Sequence, residues 1–174
     1  MLFRSIEWYR DADTIRTKYF EKNSWLWCER VATRQPDGRL KEAYRYYHEN
    51  KQLRAVGDTL GDQAIGSWTH YFDNGNKDCA GGFLDNEYHG HWTHWYRNGQ
   101  KFCEQNWVNG VSDGELTIWA EDGTVIAQGT LKEGKCWDGT FRIPNAESPA
   151  DQDSDAPTPE SFRIERYSDG EIVR

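Results

Sequence analysis

Aliphatic side chains are scarce in this chain. Hydrophobic residues of every kind make up 36% of 174 positions, and mean hydropathy is strongly negative. No stretch approaches the roughly 18 apolar residues that a membrane helix requires. The opening residues, "MLFRSIEWYRDADTIR", contain no apolar run of signal-peptide length. The expectation is a soluble, cytoplasmic protein without stable membrane insertion. Basic charge is also in short supply. The net charge is -8, whereas proteins that track nucleic-acid phosphates carry a basic face. Nucleic acid is therefore not an expected partner, and the same balance disfavours an anionic membrane surface. Cysteine occurs four times with no CxxC pair, and free thiols fit a reducing cytoplasm. Nucleophile-elbow, phosphate-loop and zinc-protease motifs are all missing. The sequence accordingly reads as a non-enzyme without a cofactor, for which a small-molecule ligand is not expected.

What is abundant is aromatic: nine Trp and nine Tyr, within a total aromatic content of 14%. Large rings suit a thin structure, where they cover area that a deep core would otherwise bury. Self-comparison shows why they are there. "GSWTHYFDNGNKDCAGGFLDNEYH" from Gly66, "GHWTHWYRNGQKFCEQNWVNGVSD" from Gly90 and "GELTIWAEDGTVIAQGTLKEGKCWD" from Gly114 align at a period of 24, and "EAYRYYHENKQLRAVGDTLGDQAI" from Glu42 is in the same phase. Each unit reads as a β-hairpin. An aromatic strand runs into Asn74-Gly75, Asn98-Gly99 or Asp122-Gly123, residues that tolerate the positive φ of a tight turn. A second strand follows, and a second break is expected at the unit boundary, where Gly66, Gly90, Gly114 and Gly139 recur.

The predicted fold is therefore all-β: an elongated single-layer antiparallel meander of about seven hairpin units. The best repeats span 42–143. Residues 6–41 and 161–174 look like degenerate copies, with turns at Asp37-Gly38 and Asp169-Gly170. Residues 5–20 also fit a helical stripe through Trp8, Ala12, Ile15 and Tyr19, so both strand and helix stay open there. Residues 144–160 differ in kind. They hold four of the five prolines and five acids, with no Lys or Arg, and read as a flexible acidic insertion between the strands of the last hairpin.

The repeat phrases "GSWTHYFDNGNK", "HGHWTHWYRNGQK" and "DGELTIWAEDGTV" resemble the bacterial MORN-variant repeat, G-x-W-x-x-W/Y-Y-x-N-G-x-K. Proteins built of such repeats include the YwqK-type antitoxins. The resemblance implies an elongated one-layer sheet, no cofactor and a protein–protein role. Its antitoxin label implies a partner toxin that is bound and neutralised. Two departures, Asn50-Lys51 in place of Asn-Gly and Leu116 in place of Trp, point to local irregularity.

Three histidines in "YHGHWTHWYRNGQ" (88–100) raise the question of a metal site. Strand alternation puts residues two apart on one face, so His91 and His94 point opposite ways and His89 falls in a turn before Gly90. His94 is in phase with His70, Tyr46 and Ile118, a column that takes any large side chain. The histidines read as structural. Cys79 and Cys103 are in phase with Ala55 and Ala127, while Cys28 and Cys136 are in neither phase. In-phase residues sit two strands apart, roughly 9.5 Å, too far for a disulfide, which needs Cα atoms within about 7 Å.

Sorting by face separates two aromatic sets. Tyr44, Trp68, Trp92 and Leu116, backed by Phe72 and Tyr96, form the more buried one. Tyr47, Tyr71, Trp95 and Trp119 form a single column among Ser67, Thr69, His91, Thr93, Glu115 and Thr117. This second column, with His91, is the candidate partner-binding surface. Its alternative is plain cross-strand packing. Two functions follow as expectations: a protein-binding module of antitoxin type, and a MORN-like membrane-peripheral tether or scaffold.

Overall fold

The computed structural model describes residues 5–11, 13–21, 25–144 and 162–173. Its strands are β1 (Ser5–Asp11), β2 (Thr14–Phe20), β3 (Leu26–Arg34), β4 (Leu40–Tyr47), β5 (Leu53–Leu60), β6 (Gln63–Tyr71) and β7 (Lys77–Leu84). The chain continues through β8 (Glu87–Trp95), β9 (Lys101–Val108), β10 (Val111–Trp119), β11 (Val125–Lys132), β12 (Lys135–Pro144), β13 (Phe162–Ser168) and β14 (Glu171–Val173). Each strand pairs antiparallel with the next, in one sheet whose order is the sequence order. The fold is all-β and open, a hairpin meander. Ser5–Asp11 and Thr14–Phe20 are paired strands, with Trp8 opposite Thr17, which closes the helix alternative. The acidic reading of 144–160 falls, beyond Pro144, outside the described residues.

From β4 to β12 two kinds of turn alternate, one along each edge of the sheet. On one edge an Asx residue closes a five-residue loop. Asn74 Oδ1 accepts from Asn76 N–H, and Asn50, Asn98 and Asp122 do the same for Gln52, Gln100 and Thr124. The residue after the Asx takes positive φ: Gly75 at 88°, Gly99 at 92°, Gly123 at 86°, and also Lys51 at 70°. The departure at Lys51 leaves the turn intact but places a side chain in the left-handed region. These loops are stitched together, since Asn50 Nδ2 donates to Asp73 O and Asn74 Nδ2 to Arg97 O. On the other edge, two-residue turns such as Asp85-Asn86 and Asn109-Gly110 have both φ positive, as the right-handed twist of a hairpin prefers. Their second residue donates back one hairpin: Asn86 N–H to Ala64 O, Gly110 N–H to Tyr88 O, Gly134 N–H to Ser112 O.

This corrects the expected second break. The chain reverses at Asp85-Asn86, Asn109-Gly110 and Glu133-Gly134, not at the recurring glycines, and His89 lies within β8 opposite Gly82 rather than in a turn. Gly66 and Gly90 sit inside strands at bulges. There the register jumps between Val56/Asp58 and Ala80/Gly82, and one residue of the preceding strand faces three of the next. The jump frees backbone carbonyls of β5 and β7, and the indoles use them. Trp68 Nε1 donates to Asp58 O (3.0 Å) and Trp92 Nε1 to Gly82 O (2.9 Å). To reach them, each indole lies across a glycine of the preceding strand, Gly57 and Gly81 respectively, where any Cβ would fall inside the ring.

The same face carries the rest of the core. One row runs across ten strands: Tyr19, Cys28, Tyr46, Ala55, His70, Cys79, His94, Cys103, Ile118 and Ala127 are cross-strand partners in turn. Large and small side chains alternate along it. Small residues lie under the edges of their larger neighbours, which is how a single layer buries Cys28, Ala55, Cys103 and Ala127. Cys28 joins this row although it is out of phase with the 24-residue period, because β3 and β4 are joined by a five-residue turn, 35–39, three residues longer than the 61–62 turn of the next hairpin. All four thiols are free. Leu116, Leu131, Phe141 and Cys103 form the main apolar cluster. Leu116 brings the expected local irregularity: the bulge between β9 and β10 is displaced by one residue, so that Leu116 pairs directly with Gln105, in the position held by Gly57 under Trp68 and Gly81 under Trp92.

Candidate functional site

The two faces of the sheet differ in chemistry. On the core face, rings pack on rings: Trp92 lies 5.2 Å from Phe83, 4.2 Å from Tyr88 and, stacked, 6.1 Å from His94. Trp92 is 1% exposed. Burial there holds His70 and His94 below the ordinary imidazole range, so both favour the neutral form. It also pushes Cys28 up to about 12, and Cys79 and Cys103 up to about 11. These thiols stay protonated at neutral pH, the inert state of buried cysteine.

The opposite face holds the candidate column. Tyr47, Tyr71, Trp95 and Trp119 all lie on it, each at the end of its strand and each half-buried rather than open. A further register shift sits beside each of them, at Tyr46/Tyr47, His70/Tyr71, His94/Trp95 and Ile118/Trp119. Their cross-strand partners are Leu53, Lys77, Lys101 and Val125, so the row alternates ring and aliphatic or lysine stem. Lys77 Nζ stands 5.3 Å from the ring centroid of Trp95, and Lys101 Nζ 5.7 Å from that of Trp119. The lysines were not singled out in the sequence. The signal was available: they occupy the K of the N-G-x-K phrase, each three positions after the Asn of the turn. With a lysine over one face, neither indole is a bare platform for a flat ligand. The row instead offers ring edges, ammonium groups and apolar stems.

Behind this row the face turns polar. Thr69 pairs with Ala80, Ala80 with Thr93, and Thr93 with Glu104. Glu104 also binds Lys101. His91 is exposed here, hydrogen-bonded through Nδ1 to Asn106 Oδ1 (3.2 Å) and 3.8 Å from Glu104. It shares the face with the aromatic column, while His94 lies on the other, paired with Cys79 and Cys103. No group of three or more His, Cys, Asp or Glu among the described residues is placed to hold a metal ion. Tyr47 anchors the far end of the column: its hydroxyl donates to Glu29 Oε2 at 2.6 Å, and burial together with that carboxylate pushes the phenol up to about 12.

No family model and no curated protein matches the chain. No helix among the described residues is long and apolar enough to cross a membrane.

Proposed function

We propose that this chain is a non-catalytic protein-binding module that uses the face bearing Tyr47, Tyr71, Trp95 and Trp119. The observation that carries the reading is the asymmetry between the faces. Trp92 and its neighbours are consumed by the core, while the second column is half-exposed, periodic, and bordered by threonines and lysines. Aromatic residues set in a polar surround are the usual centre of a protein interface. The raised thiols and the lowered, ring-stacked histidines support a role without catalysis, since none of them is tuned as a nucleophile or base. A toxin as partner, and hence an antitoxin role, rests on the likeness of the repeat phrases to the MORN-variant antitoxins.

The test pairs two truncations. Trp95→Ala should weaken capture of the native partner by about 2 kcal/mol or more, and lower stability by less than the roughly 3–5 kcal/mol typical of a buried Trp→Ala. Trp92→Ala should do the reverse. If Trp95→Ala unfolds the protein and Trp92→Ala is silent, the faces are misassigned. The competing reading is a membrane-peripheral tether, favoured by the pairing of Lys77 and Lys101 with tryptophans, a combination suited to a membrane–water interface. Co-sedimentation with anionic vesicles that is lost in Lys77→Glu/Lys101→Glu would select it.

A further inference from the structure

A groove enclosing about 640 Å³ crosses β2 to β5 on the same face as the aromatic column. Its floor is backbone. Thr17, Arg30, Tyr44 and Gly57 line it, and they form one cross-strand row. The side chains of that row point to the core face, where Arg30 and Tyr44 both bind Glu42. The walls are the two flanking rows: Arg16, Val31, Ala43 and Asp58 on one side, and Lys18, Glu29 and Arg45 on the other.

Charge along these walls is not balanced by the groove's own residues. Lys18 lies 3.5 Å from Glu29, which also accepts from Tyr47, and Lys41 lies 2.9 Å from Asp58. Both wall carboxylates are therefore engaged. Arg16 and Arg45 are both exposed, and neither is ion-paired with the groove's own carboxylates, Glu29 and Asp58. They stand on opposite walls, and Val31 and Ala43 continue the wall that starts at Arg16. The cationic character ends at β5, because the row that holds Arg45 continues as Val56, Thr69, Ala80 and Thr93. A nucleic acid needs a longer track of cations than this. Two guanidiniums over a short apolar wall suit carboxylates spaced along an extended peptide, which each can grip in bidentate fashion.

We propose that this groove receives an acidic, extended segment of a partner protein, with its carboxylates on Arg16 and Arg45. The inference rests on the protein-binding reading and adds the chemistry of the partner. Tyr47 joins the two surfaces, belonging to the aromatic column while bonding the groove wall at Glu29.

The experiment is fluorescence anisotropy on the full chain, with a fluorescein-labelled peptide of alternating Glu and Thr as probe. Arg16→Glu/Arg45→Glu should weaken binding about tenfold or more. Lys132→Glu/Lys135→Glu makes the same charge change outside the groove and should leave binding nearly unchanged. If the charge-reversed variant does not fold, Arg16→Gln/Arg45→Gln replaces it, with a smaller loss expected in the same direction. Equal weakening by the lysine pair would overturn the proposal, showing only bulk charge. Tighter binding of a single-stranded oligonucleotide with the same arginine dependence would overturn it in favour of a polyphosphate ligand. No binding of the peptide at millimolar concentration would also overturn it. Each of these results leaves the Trp95→Ala test standing, and a silent Trp95→Ala leaves this one standing.

Discussion

Gly81→Ala is a one-methyl change that should cost as much as removing a core tryptophan in part. The three atoms nearest to a Cβ on Gly81 all belong to the indole of Trp92, and the overlap is too deep for small adjustments. Trp92 must swing out. It would give up nearly complete burial and the hydrogen bond from Nε1 to Gly82 O. Full truncation of a buried Trp costs about 3–5 kcal/mol. A displaced ring keeps some contacts, and alanine is preferred to glycine in a strand by about 0.5–1 kcal/mol. The net expectation is a loss of about 2–4 kcal/mol. In a Trp92→Ala background the same methyl enters vacated space, so Gly81→Ala should be neutral or stabilising by up to about 1 kcal/mol. The coupling energy is then about 3 kcal/mol, among the larger values for a contacting pair. Urea unfolding followed by far-UV circular dichroism on the four proteins measures it. An equal cost of Gly81→Ala with and without Trp92 would refute the stacking argument. The chain already contains this swap: where Leu116 takes the tryptophan position, Gln105 takes the glycine position.

Three further outcomes are expected. Lys51→Gly should raise stability by about 1 kcal/mol, because Lys51 holds a φ of 70° that the equivalent turns assign to glycine; an unchanged melting temperature would contradict this. The second concerns pH. His70 and His94 have folded-state values below the unfolded 6.5, so the unfolded chain binds more protons in the interval beneath 6.5. Stability should therefore be full above 6.5 and fall as pH drops toward the folded values. His94→Leu should flatten that slope in denaturant titrations, and an unaltered slope would show that the burial of His94 does not matter. Third, Cys28, Cys79 and Cys103 should react with Ellman's reagent far more slowly in the native protein than in urea, since burial raises all three thiols; rapid native release from all of them would mean that the row opens easily.

The 24-residue period and the Asx-Gly pairs determined the meander and its order, because turn chemistry and strand alternation are local. They also sorted Trp92 from Trp95 onto opposite faces, since both stand on β8 and the bulge at Gly90 sets three residues against one, which keeps the parity of the strand. What local pattern could not decide was the register between strands. The recurring Gly66 and Gly90 look like turn residues by spacing, yet they absorb bulges inside strands, and the real reversals lie upstream at residues such as Asp85-Asn86. Cys28 looks out of phase, but the three extra residues of the 35–39 turn account for the offset and pairing carries it into the row of small residues under Tyr46. The lysines over Trp95 and Trp119, and the groove between Arg16 and Arg45, arise from neighbours 12 to 29 positions apart in sequence. Only cross-strand pairing brings such residues together, and only the bulges at Gly66 and Gly90 let the indoles of Trp68 and Trp92 reach the carbonyls of Asp58 and Gly82.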